Sequence, residues 1–369
     1  MAFEKVSPQH PDKIADRIAG AIVDHCYAHS EGGWLKSNPR VAVEVLLGHG
    51  KCYVMIETSC TRAELSCNDV DDIVHRIVGD VEIFVTICDQ DPELSKNQKD
   101  GIKSADNGIF KGSAPTHEQK LLTAIAASIY DKLPHDGKYI VDRHHPEPTK
   151  SLLPDNLQEE YDYIREKHKE ILEGKRAIDA VALEQNRKFN EEEVKAWSRM
   201  TKIDKSLEKR NEALKKIAIE EAQKRWEYSV TVCQSHMPQA DNAVLTEHLQ
   251  KNYGIRDVII NPLGEWTGGP DVDCGATNRK LGSDMGDGVT GGGLHGKDLS
   301  KADVSVNIWC YLESIRTGHQ VTASCSIGDE TVNGIPYKDI VEQARLYIHT
   351  LGGFEKFAEW GLIRPLAQE

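Results

Sequence analysis

The chain has 369 residues, enough for two or three domains around a substantial buried core. With 39% hydrophobic and 28% charged residues it has the balance of a water-soluble globular protein, with no apolar run of about 18 residues to span a bilayer. A net charge of −14 argues against nucleic acid as a partner, so any polyphosphate ligand must be met by a local cluster of Lys and Arg.

The first residues lack the basic and apolar blocks of a secretory leader, and the nine cysteines show no metal-type spacing. They read as reduced thiols, and the expected compartment is the cytoplasm. Pro8-Gln9-His10-Pro11-Asp12-Lys13 leads into an amphipathic helix on which Ile14, Ile18 and Ile22 recur every four residues. Residues 41–47 and 53–56 are β-rich runs joined by Gly48-His49-Gly50, which predicts a hairpin. Glu44 and Glu57 interrupt these runs, either turned to solvent or set for a cation or substrate. A further strand is expected over 81–88, a polar loop over 93–106, a helix over 118–133 and a short strand over 138–142.

Between about 151 and 225 the composition shifts to dense Glu, Lys and Arg with almost no glycine. Ile164, Ile171 and Ile178 recur at seven-residue spacing, as do Leu207 and Leu214, which predicts a long helical hairpin. It is either a solvated insertion or a contact for a partner. Strand composition returns at 228–233 and 258–260, and 261–296 is glycine-rich and loop-like. Residues 304–311 and 321–327 have strand or short-helix character, and 340–347 is helical. Strands and helices in no regular alternation predict an α+β fold.

Three clusters could carry chemistry. His10, Asp12 and Lys13 stand at a helix start, where unpaired amides favour an anion. Arg279 and Lys280 follow a turn and suit phosphate, one as a planar fork and the other as a point charge. In 291–303, Gly291, Gly296 and Lys297 have P-loop spacing, but Asp298 stands where a P-loop has Ser or Thr, and 283–288 cannot be the buried strand that precedes one. The stretch still reads as a phosphate cradle bracketed by Lys297 and Lys301. Together the clusters alternate carboxylates and cations, as a Mg²⁺–polyphosphate site requires.

At these clusters the sequence resembles the methionine adenosyltransferase (S-adenosylmethionine synthetase) family. The resemblance lies in His10-Pro11-Asp12-Lys13, Asp106-Asn107-Gly108, Asn261-Pro262-Leu263-Gly264, Gly268-Gly269-Pro270, Asp273-Cys274-Gly275-Ala276-Thr277-Asn278-Arg279-Lys280 and the 291–303 stretch. It implies three similar β/α units around a pseudo-threefold, with limits near 1–108, 109–262 (interrupted by the insertion at about 151–225) and 263–369. It implies synthesis of S-adenosylmethionine from ATP and L-methionine by sulfur attack on C5′, releasing tripolyphosphate that is hydrolysed to pyrophosphate and phosphate. A non-catalytic nucleotide-binding relative and a tripolyphosphatase are the alternatives.

The roles it implies are these. His10 stabilises the leaving oxygen, and Asp12 and Asp303 hold Mg²⁺, two ions per site. Lys13, Lys138, Arg279, Lys280, Lys297 and Lys301 contact phosphate, with Asp106 and Asp136 as further ATP ligands and Trp266 stacked on a ring. Glu44 sits in a K⁺ site. Glu57 and Asp273 take the methionine amino group, and Lys301 and Ile327 line its pocket. Two subunits meet over flat sheets with active sites between them, as a homodimer or a dimer of dimers. Gln9 departs from the family glycine, and the 90–106 loop, the 284–291 stretch and the C-terminal tail are shorter. With so short a loop the chain is expected to lack a full lid and to release product readily.

Overall fold

The computed structural model describes residues 2–93, 102–144, 155–185, 188–225 and 227–365. The chain divides into two compact units, one made of 1–142 with 228–369 and the other of 143–227.

The larger unit opens with strand β1 (Ala2–Val6) and helix α1 (Pro11–His29), followed by the hairpin β2 (Val41–Gly48) and β3 (Lys51–Thr58). Helix α2 (Cys67–Val78), strands β4 (Glu82–Asp89) and β5 (Gly108–Gly112), helix α3 (His117–Tyr130) and strand β6 (Gly137–His144) come next. The smaller unit holds two long helices, α4 (Asp155–Glu184) and α5 (Glu191–Arg225). After them come β7 (Glu227–Gln234), α6 (Asn242–Tyr253), β8 (Asp257–Ile260), β9 (Cys274–Ala276) and a short α7 (Leu281–Met285). The chain ends with α8 (Ala302–Thr317), β10 (Val321–Cys325), the two-residue strands β11 (Thr331–Val332) and β12 (Ile335–Pro336), α9 (Tyr337–Thr350) and α10 (Phe354–Trp360).

The hairpin expected around Gly48-His49-Gly50 is present, with Gly48 opposite Lys51 and His49 and Gly50 at positive φ. The expected helical hairpin is α4 and α5, with Ile164, Ile171 and Leu214 buried in its seam. The 304–311 run is helix, not strand. Val304, Val306 and Ile308 alternate like strand residues, but Ser305 and Asn307 between them are buried too. A helix enclosed on nearly all sides loses the one-sided periodicity by which helices are read. The loop expected over 90–106 runs through 94–101, which lie outside the described residues, as does the start of the insertion at 151–154.

Helix, strand, strand, helix, strand is laid down twice: α1, β2, β3, α2, β4, and again α3, β6, β7, α6, β8. In each, the first two strands are sheet neighbours and the last strand runs parallel to the second. A third series, α8, β10, the β11–β12 hairpin and α9, repeats the pattern with its later strands reduced. Each series takes an edge strand from another part of the chain. β9 runs antiparallel to β2, β1 to β6 and β5 to β10. Each borrowed strand precedes the opening helix of a different series, so the exchange is cyclic. Apolar side chains of α1, β2, β3, α8 and α9 form one continuous core. Asp24 of α1 accepts hydrogen bonds from Phe354 N, Glu355 N and Trp34 Nε1 (2.8, 2.9 and 3.1 Å), which fixes the start of α10.

Candidate active site

His10 is the N-cap of α1. Its Nδ1 accepts the Asp12 amide (3.2 Å), so the ring proton of the neutral imidazole lies on Nε2. That Nε2 is buried and has no hydrogen-bond partner among the described residues. Burial, then the nearby charge of Lys138, pushes the His10 pKa down to about 3, so the ring is uncharged at neutral pH. Asp12 accepts the Ala276 amide at Oδ1 (2.9 Å) and meets Lys280 Nζ at 3.2 Å and Arg279 Nη1 at 3.5 Å. This contact depends on glycine at 275, because a Cβ there would collide with the Pro11 carbonyl. β9 thus lies directly against the start of α1 and carries Arg279 and Lys280 to it.

Asp136 and Lys138 join this group from β6 and the turn before it. Asp136 Oδ2 accepts the Gly269 amide (3.2 Å), and its buried Oδ1 has no partner among the described residues. Burial pushes Asp136 up to about 6 despite that amide. Trp266, half-buried, donates its indole N–H to Asn261 Oδ1 (3.3 Å). A Cβ on Gly268 would stand 2.6 Å from the Trp266 ring and 2.7 Å from Asp136 Oδ2, so the ring and the carboxylate flank a glycine. Asp273 is exposed, its Oδ1 accepts the Cys274 amide (2.8 Å), and its charge acts on both His10 and Asp136.

A second group forms around the 291–303 stretch. Lys297 Nζ lies 2.7 Å from Asp303 Oδ2, which also accepts the Gly293 amide (3.3 Å). Lys301 Nζ lies 3.8 Å from Asp106 Oδ1, while the buried Oδ2 of Asp106 has no partner among the described residues. Burial raises the Asp106 pKa, with Lys301 opposing. Asn107 Oδ1 accepts the Ile327 amide (2.7 Å), which brings exposed Ile327 to the Asp106 segment. On β3, Glu57 is exposed and in register with Ala42, whose backbone bridges Lys297. Asp298, the residue that breaks the P-loop pattern, is buried and accepts the Val41 and Ser300 amides. Helix α7, not a strand, precedes the glycines.

Glu44 stands apart on β2, exposed, accepting a short hydrogen bond from the Thr277 hydroxyl. Beside it on the open face of the same sheet are exposed Leu46, Tyr53, Met55 and Phe84. Among the described residues, no hydrogen bond or ion pair joins a side chain of the first group to one of the second.

Lys13 does not join either group. Its ammonium is buried, 2.5 Å from Asp284 Oδ2 and 3.3 Å from Asp16 Oδ2, and Asp284 also takes His295 Nε2 at 2.8 Å. Burial alone would raise the Asp284 pKa, but Lys13 and His295 outweigh it and hold the carboxylate ionised. The expected phosphate contact by Lys13 therefore gives way to an internal ion cluster. Asp16, Asp284 and His295 present ligand atoms within 4.8 Å of one another, yet Lys13 already supplies the cation. Sequence reasoning missed this cluster, because Asp284 lies far along the chain from Lys13.

Residues 1–91 match the S-adenosylmethionine synthetase N-terminal domain. The S-adenosylmethionine synthase of Prochlorococcus marinus is 25% identical over 327 residues, spanning 82% of this chain and 69% of its own. That of Acholeplasma laidlawii is 26% identical over 364 residues, spanning 95% and 81%. An unusual S-adenosylmethionine synthetase from Campylobacter jejuni shares the fold, with a TM-score of 0.59 at 17% identity, covering 98% of this chain and 94% of that one. No helix among the described residues is long and apolar enough to cross a membrane. In its motifs, in sequence along most of its length and in fold, the chain resembles the S-adenosylmethionine synthetases.

Proposed function

We propose that the chain is a methionine adenosyltransferase that joins ATP and L-methionine. The observation that carries this reading is His10 Nε2, a buried donor without an acceptor, beside Lys138, Arg279 and Lys280. In the proposed reaction the methionine sulfur attacks C5′ of ATP, the S–C bond forms, and the C5′–O bond breaks to release tripolyphosphate. Sulfur needs no base. The barrier lies in aligning two substrates and in the charge that grows on the leaving oxygen.

A neutral imidazole whose free N–H points at that oxygen meets the second need without itself being deprotonated. Lys138, Arg279 and Lys280 take phosphate oxygens from one side, and Lys297 and Lys301 from the other. Trp266, Asp136 and Asp106 hold the nucleoside. Glu57 and Asp273 pair with the methionine ammonium, and Ile327 lines its side chain. Asp12 and Asp303 are hard oxygen ligands that each face a lysine ammonium, which fits residues arranged for cations. Mg²⁺ held there would neutralise the polyphosphate. Glu44 is the candidate K⁺ ligand.

Each group lacks what the other offers, and the sheet face that carries Glu44 is apolar and open. A second copy meeting that face would set one copy's first group against the other's second group, as a homodimer or a dimer of dimers. The test is incubation with ATP, L-methionine, Mg²⁺ and K⁺ and detection of S-adenosylmethionine. Lys301→Ala should lower its formation by about 10²- to 10³-fold with the melting curve unchanged. Near-normal turnover of that variant removes the Lys301 assignment. Phosphate release without the sulfonium product by the parent chain would favour a tripolyphosphatase, and ATP binding without turnover a regulatory relative.

A further inference from the structure

The two long helices carry no part of the candidate site, and each bears a stripe in which one charge prevails, acidic on α4 and basic on α5. α4 and α5 run antiparallel. Arg210 grips Glu160 at 2.6 and 2.7 Å, and Asp204 accepts from His168 (2.7 Å) and Lys175 (2.8 Å). On α5, Lys195, Lys202, Lys209 and Lys216 recur at seven-residue intervals with Arg199 among them, all exposed. Seven residues are close to two helical turns, so they form one stripe about 30 Å long. Lys195 pairs with Glu191 at 2.9 Å. Arg199, Lys202, Lys209 and Lys216 have no carboxylate partner among the described residues.

On α4, Glu159, Asp162, Glu166, Glu170 and Glu173 follow three- and four-residue steps, again all exposed. They form an acidic stripe about 20 Å long, on which Glu170 meets Lys167 at 2.6 Å. Both stripes lie away from the buried seam residues Ile164, Ile171, Asp204 and Leu214.

A helix that only meets solvent gains by mixing signs at i and i+4. Like charges at those steps destabilise it by roughly 0.2–0.5 kcal/mol per pair. Within each stripe one sign prevails, although Arg165 and Lys169 border the acidic one and Glu212 the basic one, and the repulsion that remains along each is relieved by an opposite stripe laid beside it. A polyanion would answer only the α5 stripe, leave the α4 stripe unexplained, and meet a molecule of net charge −14. A second copy of the chain answers both.

We propose that the helical hairpin is a homotypic docking element, in which the acidic face of α4 on one copy lies along the basic face of α5 on the next. The stripes lie on opposite sides of the hairpin, so one neighbour cannot satisfy both, and the contact propagates head to tail.

The experiment is light scattering on the full chain at rising concentration, in about 0.1 M and about 1 M salt, where the Debye length falls from roughly 10 to 3 Å. The expected result is a mean mass that climbs with concentration in low salt and is constant in high salt. Lys195→Glu, Lys202→Glu, Lys209→Glu and Lys216→Glu combined should abolish the climb, as should Glu159→Lys, Glu166→Lys, Glu170→Lys and Glu173→Lys combined. Mixing the two variants should restore it, because an all-acidic hairpin then meets an all-basic one. Should either variant lose helix by circular dichroism, Lys202→Gln with Lys209→Gln gives the same reading by weakening the climb. A parent chain with no climb, a climb indifferent to salt or to the variants, or a mixture that fails to recover overturns the proposal. Retention of the parent on heparin without any climb overturns it in favour of a polyanion.

Discussion

At Asp24, burial and hydrogen bonding pull in opposite directions. Burial is the larger effect and pushes the carboxyl up to about 6, although two backbone amides and an indole N–H donate to it. The folded value lies above the unfolded one of roughly 3.9, so the native chain binds the extra proton first. Its contribution to stability is therefore full below about 4 and is lost as the pH rises through about 6. Asp24→Asn should flatten this dependence: between pH 7 and 5 the parent should gain melting temperature relative to the variant. Equal slopes would show that Asp24 is not the group responsible. The same scale shows what a sequence can hide. His10 with Asp12 and Arg279 with Lys280 were legible as two clusters, because each stands in a short run of chemistry-bearing residues. Lys13 stands in the same run as His10, yet its ammonium is claimed by Asp284, and nothing near Lys13 in the chain announces that partner.

Among the elements, the glycines of 291–293 let the Asp303 carboxylate approach the backbone. Gly292 has φ +71°, and a Cβ there would run into the Asp303 carboxylate. Gly292→Ala should displace Asp303 from Lys297 and weaken Mg²⁺-dependent product formation while the fold persists. A Mg²⁺ titration of activity checks it, and an unchanged half-saturation point would count against Asp303 as a metal ligand. The hairpin β2–β3, the strands β6 to β8 and the long helices were readable from periodicity. The three exchanged strands, β1, β5 and β9, were not. Each is three to five residues long and carries glycine, charge or little apolar surface. They are strands because another part of the chain offers them an edge, which is a tertiary cause with no local sign.

For the molecule as a whole, the insertion separates two neighbouring strands of one sheet, β6 and β7. The matching junction between β2 and β3 is closed by Gly48-His49-Gly50 alone. Replacing 145–226 by such a turn should leave the larger unit folded, with the melting temperature within roughly 5 °C of the parent. Collapse of the transition on calorimetry would mean that the core depends on the helices. The same replacement should also remove any salt-sensitive growth in mass.

The cyclic exchange of edge strands also sets an order of events during synthesis. β1 and β5 have left the ribosome before the sheets that receive them, so those sheets can close as they emerge. β9 has not. β4 ends at Asp89, and β9 begins only at Cys274. Through the making of everything between, including both long helices, the β2 edge from Leu46 to Gly48 stays open. An uncovered edge beside exposed Leu46, Tyr53 and Met55 is a template for wrong pairing. The nascent chain is thus most exposed to aggregation in its first-made sheet, and a holding chaperone would find its substrate there.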